Sequence, residues 1–127
     1  MPLESPTAPL ISIIDDDDSV LMATALLVSS LGFTTCVFSS AEEFLRSARL
    51  DDTACVISDV HMPNISGIEL LRILRARSPD IPTILMTAFS NENVKARAIA
   101  GGAVCFLMKP FDSTTLHGCL KAALSRC

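Results

Sequence analysis

The feature that most constrains this chain is a fivefold alternation of short apolar runs with helix-like stretches, from Leu10 to Ser125. The runs occupy 10–14 (β1), 33–38 (β2), 54–58 (β3), 83–87 (β4) and 103–108 (β5). They are rich in Ile, Val, Leu and Phe and bounded by Gly, Pro, Asp and Ser, which reads as strands. β2 is interrupted by Thr34 and Thr35, so it is expected to be less buried than β1. Strands alternating with helices require a parallel sheet covered on both faces.

The intervening stretches carry helix start and stop signals. Asp17 or Asp18 caps α1, which runs to 31 and stops at Gly32. Along α1, Val20, Ala23, Thr24, Leu27, Val28 and Leu31 follow helical spacing and predict its buried face. Ser40 and Glu43 form a capping box for a short α2 ending near 49, and Ser66 with Glu69 opens α3, which closes at Ser78-Pro79. α4 covers 91–100 before Gly101-Gly102, and α5 covers 113–125. The expected fold is therefore a doubly wound α/β domain with a five-stranded parallel sheet and five helices. Right-handed crossovers put every strand's C-terminal end along one edge, where such sheets bind ligands. Asp15 and Asp16 follow β1, Asp59 follows β3, Thr87 ends β4 and Lys109 follows β5. How closely they gather depends on strand order, which periodicity does not supply.

Charge enters the argument here. The 127 residues carry a net charge of -4, and the run Asp15-Asp16-Asp17-Asp18 equals the whole imbalance. Carboxylates converging at one sheet edge repel unless a cation sits among them, and hard oxygen donors select Mg²⁺ or a similar ion such as Mn²⁺. One bound divalent ion would reduce the -4 to about -2. Lys109 can supply a positive charge aimed at an anion, and Thr87 a hydrogen bond. A metal, a lysine, a hydroxyl and one further carboxylate are the parts of phosphoryl transfer to an aspartate. Asp17 and Asp18 read as ordinary helix-start acids favoured by the dipole.

Composition excludes other classes. Half the residues are hydrophobic and mean hydropathy is +0.47, so a core can be buried and global disorder is ruled out. A pI near 5.0 without a basic block argues against direct nucleic-acid binding. No apolar run reaches the ~18 residues of a membrane span, and the N-terminus lacks a signal peptide's pattern, so a cytoplasmic location is expected. Residues 1–9 hold three prolines and are expected to form a flexible tail, with one domain over 10–126. Cys36, Cys55, Cys105, Cys119 and Cys127 show no CxxC spacing and read as free, mostly buried thiols, with terminal Cys127 the exposed exception. His61 and His117 lack companions for a side-chain zinc site.

Four motifs carry a family resemblance: Ile13-Ile14-Asp15-Asp16-Asp17, Ile57-Ser58-Asp59-Val60-His61-Met62-Pro63-Asn64, Met86-Thr87-Ala88 and Leu107-Met108-Lys109-Pro110-Phe111. Together, in this order and each at a strand end, they resemble the receiver domains of two-component response regulators. The stretch Phe38-Ser39-Ser40-Ala41-Glu42-Glu43-Phe44-Leu45 resembles the FixJ-like branch. The resemblance covers about 10–124. It implies a flavodoxin-like sheet of order 2-1-3-4-5, with Asp59 as phosphoacceptor. Asp16 would be a direct Mg²⁺ ligand, Asp15 would act through metal-bound water, and Asp59 and the His61 backbone carbonyl would complete the protein's share. It further implies that Thr87, the Ala88 amide and Lys109 hold phosphoryl oxygens. Lys109-Pro110 would be a cis peptide, and Thr87 and Phe106 would form a conformational switch. His61 and Phe89 would tune dephosphorylation. The implied partners are a sensor histidine kinase or histidine phosphotransfer protein, and a phosphorylation-dependent second copy bound through α4-β5-α5.

The expected function is thus phosphorelay signalling by a domain that catalyses only its own phosphorylation and dephosphorylation. On α1, Leu21, Met22, Ala25 and Leu26 make the side away from the expected buried face apolar too, and Leu21, Met22 and Leu26 are expected to dock a partner. Two rival functions remain at this point. One is a small-molecule phosphatase with an aspartate nucleophile in the D-x-D of the Asp15–Asp18 run; the other is a pseudo-receiver that binds partners without phosphorylation. A nucleotide-binding module fails because neither GxxxxGK[ST] nor GxGxxG occurs.

Overall fold

A computed structural model describes residues 8–89 and 91–125. The expected tail lies almost wholly outside the described residues, as do Cys127 and residue 126 at the expected domain end. The strands are β1 Leu10–Ile14, β2 Thr34–Phe38, β3 Cys55–Asp59, β4 Thr83–Thr87 and β5 Cys105–Met108. The helices are α1 Asp18–Ser30, α2 Ala41–Arg46, α3 Gly67–Arg77, α4 Glu92–Ala100 and α5 Ser113–Leu124. All strand pairings are parallel and the order is β2-β1-β3-β4-β5. β1, β3 and β4 are buried throughout while β2, at an edge, is mostly exposed or half-buried, as its threonines foretold.

Two layers of core cover the sheet. On one face Ile11, Ile13, Ile57, Ile84 and Met86 pack with Leu21, Val28, Leu116 and Leu120 of α1 and α5. On the other, Ile14, Phe38 and Val56 pack with Phe44, Leu70 and Leu74 of α2 and α3. A smaller cluster, Val60, Ile68, Leu71, Leu85 and Ala98, joins α3 to α4 with half-buried Phe106 against it. Ala98 is the single buried residue of α4, so this helix is the most lightly anchored of the five.

Several boundaries differ from expectation for local reasons. α2 stops at Arg46 because Ser47 turns extended and its hydroxyl caps a 3₁₀ turn over Ala48–Asp52, which delivers buried Leu50 to the core. Glu43 reaches past the helix cap to the amide and hydroxyl of Ser39, so Ser40 caps without a reciprocal box. β5 begins two residues late because Ala103 donates its amide to Ala98, while Gly102, at φ +98°, donates to Ile99. Those two bonds are a Schellman closure of α4, and glycine adopts that φ without steric cost.

The buried face of α1 is a correction. Leu21, Thr24, Ala25 and Val28 are buried, while Val20 and Leu27 are half-buried and Ala23 is exposed. α1 is apolar around most of its circumference, so periodicity could not select which side meets the sheet. Leu21, expected to dock a partner, is 5% exposed and belongs to the core, whereas Met22 and Leu26 are 54% and 70% exposed. The cysteine expectation also narrows: Cys36, Cys55, Cys105 and Cys119 are free, yet only Cys55 is fully buried.

Candidate functional site

The site grows out of strand ends. β1 delivers Asp15, which is fully buried, and its amide donates to the Phe38 carbonyl. Asp16 comes next and is exposed. Asp17 is the N-cap of α1, its carboxylate accepting from the amides of Ser19 and Val20, and its own amide donates to Asp15 Oδ1 at 2.9 Å. Within the four-aspartate run, Asp15 and Asp16 group with Asp59, while Asp17 caps α1 and Asp18 is its first residue.

β3 ends on Asp59, which β1 and β4 flank. The following loop is set by three local features. Val60 donates to the Met86 carbonyl, Asn64 adopts a left-handed φ of 68°, and Ser66 with Glu69 forms a true capping box on α3. Asn tolerates that φ better than other residues with side chains beyond Gly. Gly67, the first helical residue, was not recognised from sequence beyond its place in the capping box. A Cβ there would collide with the carbonyl oxygen of Asp59 and lie 2.9 Å from the Val60 Cα. Both are backbone atoms, so Gly67 is what allows α3 to start against the end of β3.

Thr87 is fully buried, and its hydroxyl accepts from the Phe89 amide at 3.0 Å and donates to the Phe89 carbonyl at 3.2 Å. Its carbonyl accepts from the Lys109 amide at 2.8 Å, which fastens the end of β5 beside β4. The Lys109-Pro110 peptide is cis, as expected. From there the Lys109 ammonium donates to Asp15 Oδ2 and lies within ion-pair distance of Asp59 Oδ1, each at 2.9 Å. Among the described residues these are the only ion pairs.

A cleft of about 270 Å³ opens on this cluster, lined by Asp15, Asp16, Asp59, Lys109, His61, Ala88, Phe89 and the start of α1. Carboxylate oxygens of Asp15, Asp16 and Asp59 lie within 4.8 Å of one another, so the acidic cluster could hold a metal ion. The donor chemistry fits a hard divalent cation. Both Asp15 oxygens already have partners, whereas Asp16 is exposed on the cleft. At the mouth the rings of His61 and Phe89 meet edge to face at 5.9 Å. Phe106 sits apart from the cleft, half-buried against the α3–α4 cluster.

Charge in this cleft is costly, and the two central groups show it. Burial raises the Asp59 carboxyl above its ordinary 3.8; the Lys109 hydrogen bond opposes this, and the Asp15 charge adds to it. Burial would lower the Lys109 ammonium, but hydrogen bonds to Asp15 and Asp59, and their charges, outweigh it and raise its pKa above 10.5. The lysine therefore stays cationic, and burial disfavours the ionised form of Asp59.

Comparison with known proteins agrees with the architecture and with the ordered motifs. The response regulator receiver domain model matches residues 11–121, and the chain belongs to that family. Response regulator protein TodT of Pseudomonas putida is 39% identical over 120 residues, covering 94% of this chain and 53% of TodT. Transcriptional regulatory protein FixJ of Azorhizobium caulinodans is 38% identical over 116 residues, covering 91% of this chain and 55% of FixJ. The chain thus spans about half the length of these curated relatives. Among solved structures, FixJ-N superposes with a TM-score of 0.85 at 31% identity, covering 95% of this chain and 97% of that one. A receiver domain protein from Clostridium thermocellum superposes with a TM-score of 0.87 at 28% identity, covering 93% and 95%. Among the described residues no helix is long and apolar enough to cross a membrane.

Proposed function

We propose that this receiver domain accepts a phosphoryl group on Asp59 and uses the resulting change of charge to control an output by protein contacts. The observation that carries the reading is the ion pair of Lys109 with both Asp15 and Asp59 at 2.9 Å. An aspartate needs a fixed cation beside it to accept a phosphoryl group, because attack brings two anions together. Asp59 supplies the attacking oxygen as the donor's P–N bond breaks and its histidine leaves as imidazole, and Lys109 can follow the charge from the carboxylate to a transferred oxygen. Thr87, whose hydroxyl rests on the Phe89 backbone, can turn to donate to a second oxygen, with the Ala88 amide beside it. Asp16, Asp59 and the His61 carbonyl would hold Mg²⁺ or Mn²⁺, and Asp15 would hold its water. When bound, that ion neutralises charge on the phosphoryl group.

The phosphoryl donor is a sensor histidine kinase or a histidine phosphotransfer protein, in a cytoplasmic pathway. Its docking surface includes Met22 and Leu26 on α1. A groove of about 490 Å³ extends that surface to the site, lined by Val20, Ala23, Leu27, Lys109, Pro110 and Phe111 among others. Movement of Thr87 would be read by Phe106 and passed to α4-β5-α5, where Ile99 and Met108 are exposed. A second copy of the chain would dock there. The domain catalyses only its own phosphorylation and dephosphorylation, with His61 and Phe89 tuning the latter.

The small-molecule phosphatase is disfavoured by the same geometry. A nucleophile at the head of the D-x-D run would be Asp15, but its two oxygens are committed to the Lys109 ammonium and the Asp17 amide. A phosphorylation-independent pseudo-receiver is disfavoured because Asp15, Asp16, Asp59, Ala88 and Lys109 all line one cleft. Binding of beryllofluoride with Mg²⁺, followed by amide resonances, tests the proposal. Shifts at Thr87, Phe106 and Lys109 that vanish in Asp59→Asn are expected, and an unresponsive wild-type spectrum would refute it.

A further inference from the structure

The basic residues of this acidic chain are unevenly placed. Residues 67–100, which contain α3 and α4, hold five basic side chains (Arg72, Arg75, Arg77, Lys95 and Arg97) against three acidic ones. Arg72, Arg75 and Arg97 line a single cavity of about 340 Å³ with Ile68, Ala100 and Gly101, between the two helices. Among the described residues, none of the three guanidinium groups makes an ion pair, the only ion pairs being those of Lys109. The acids on the same helices do not line the cavity: Glu92 sits in the first turn of α4, and Glu69, in the first turn of α3, is committed to its capping box. Asp80 lines the neighbouring 520 Å³ cavity at the start of β4, which shares Arg75 but not Arg72 or Arg97.

The backbone places one of these cations. A Cβ on Gly102 would lie 3.0–3.1 Å from the Cζ, Nε and Nη1 of Arg75, so the guanidinium rests on the glycine. The turn that closes α4 therefore also makes room for Arg75.

Helix C-termini attract cations, but their magnitude is too small to account for the cluster. Each terminus contributes about -0.5 charge, so two offset about one of three positive charges. About two remain unbalanced around a concave space of the size that small ligands occupy. Guanidinium forks match phosphate oxygens in pairs, which distinguishes this arrangement from a scatter of surface lysines.

We propose that the α3–α4 cavity, which shares no lining residue with the phosphoacceptor cleft, is a binding site for a phosphate-bearing small molecule, held by Arg72, Arg75 and Arg97. The ligand would bridge lightly anchored α4 to α3. The test is an NMR titration of the chain with inorganic phosphate and, separately, pyrophosphate, in EDTA at constant ionic strength. Saturable shifts are expected at the Arg72, Arg75 and Arg97 side-chain Nε–H groups and at the Gly101 and Gly102 amides. Paired substitution Arg75→Gln with Arg97→Gln should weaken affinity by about tenfold or more, and Arg72→Gln alone should weaken it less, with folding checked from the amide spectrum. Tighter binding of pyrophosphate would mark a site for two phosphates, and equal binding a site for one. Non-saturating shifts, unchanged affinity in the variants, or shifts confined to Thr87 and Lys109 would overturn the proposal. So would binding of a poly-glutamate peptide with neither phosphate probe, which would assign the face to an acidic protein. Because the readout is at arginines, failure here leaves the Asp59 reading untouched.

Discussion

Asp59 and Lys109 show how one buried charge is tolerated by another. The raised pKa of Asp59 means that the folded protein holds its proton more tightly than the unfolded chain does. Between 3.8 and the raised value the native state binds more protons, so stability falls as pH rises through that window. Ionising Asp59 therefore destabilises the fold, and Asp59→Asn, which leaves Lys109 paired with Asp15, should raise the melting temperature at pH 7 by about 3 °C. That gain should shrink as pH approaches 3.8, where Asp59 becomes protonated in both states; thermal melts from pH 4 to 8 check it, and a lower melting point at pH 7 would contradict it. Lys109 acts with the opposite sign: its contribution is present below 10.5 and is lost as pH rises through its higher folded pKa. A second residue-scale expectation concerns Phe89, which is 71% exposed at the cleft mouth against His61. An apolar ring there cannot position an attacking water, whereas a carboxylate can. Phosphorylated Phe89→Glu should therefore lose its phosphoryl group on the order of tenfold faster than wild type. Decay assays with equal or slower loss in the variant would sink the idea.

At the scale of elements, what could be read from sequence was what a local signal specifies. Asp17, Ser40 and Ser66 cap their helices in the structure, and β4 spans the expected residues, because caps and apolar runs act within a few residues. The catalytic-type residues were legible because each stands directly after or at the end of a strand. What stayed hidden depended on neighbours distant in sequence. The orientation of α1 was undetermined because it is apolar on several sides, and contact with the sheet buried Leu21 instead of Ala23. Gly67 carries no signal until the end of β3 is seen pressed against it. The corrected α1 leaves Met22 and Leu26 as its exposed apolar pair, beside the groove that leads to Lys109. Met22→Lys with Leu26→Lys should slow phosphoryl transfer from a cognate kinase by about tenfold or more, a loss of roughly 1.4 kcal/mol of docking energy. Transfer from a small phosphodonor should be unchanged. Equal slowing with both donors would show that the surface is not a docking site.

At the scale of the whole molecule, charge gathers in two places. Asp15, Asp16 and Asp59 gather at the C-terminal edge of the sheet, and the arginines of α3 and α4 lie to one side. Between them stands α4, held by one buried alanine, next to Phe106. An element so lightly anchored can be repositioned by a small movement at Thr87. If that movement exposes the α4-β5-α5 face to a second copy, light scattering after size exclusion should show dimers only with beryllofluoride and Mg²⁺. Ile99→Glu with Met108→Glu should abolish them, while a monomer under all conditions would remove dimerisation from the account. The central claim, however, rests on one carboxylate. Intact-mass spectrometry after incubation with acetyl phosphate and Mg²⁺ addresses it directly. The prediction is one added phosphoryl group on wild type, none without Mg²⁺ and none on Asp59→Asn; an unmodified wild type, or equal modification of Asp59→Asn, would contradict it.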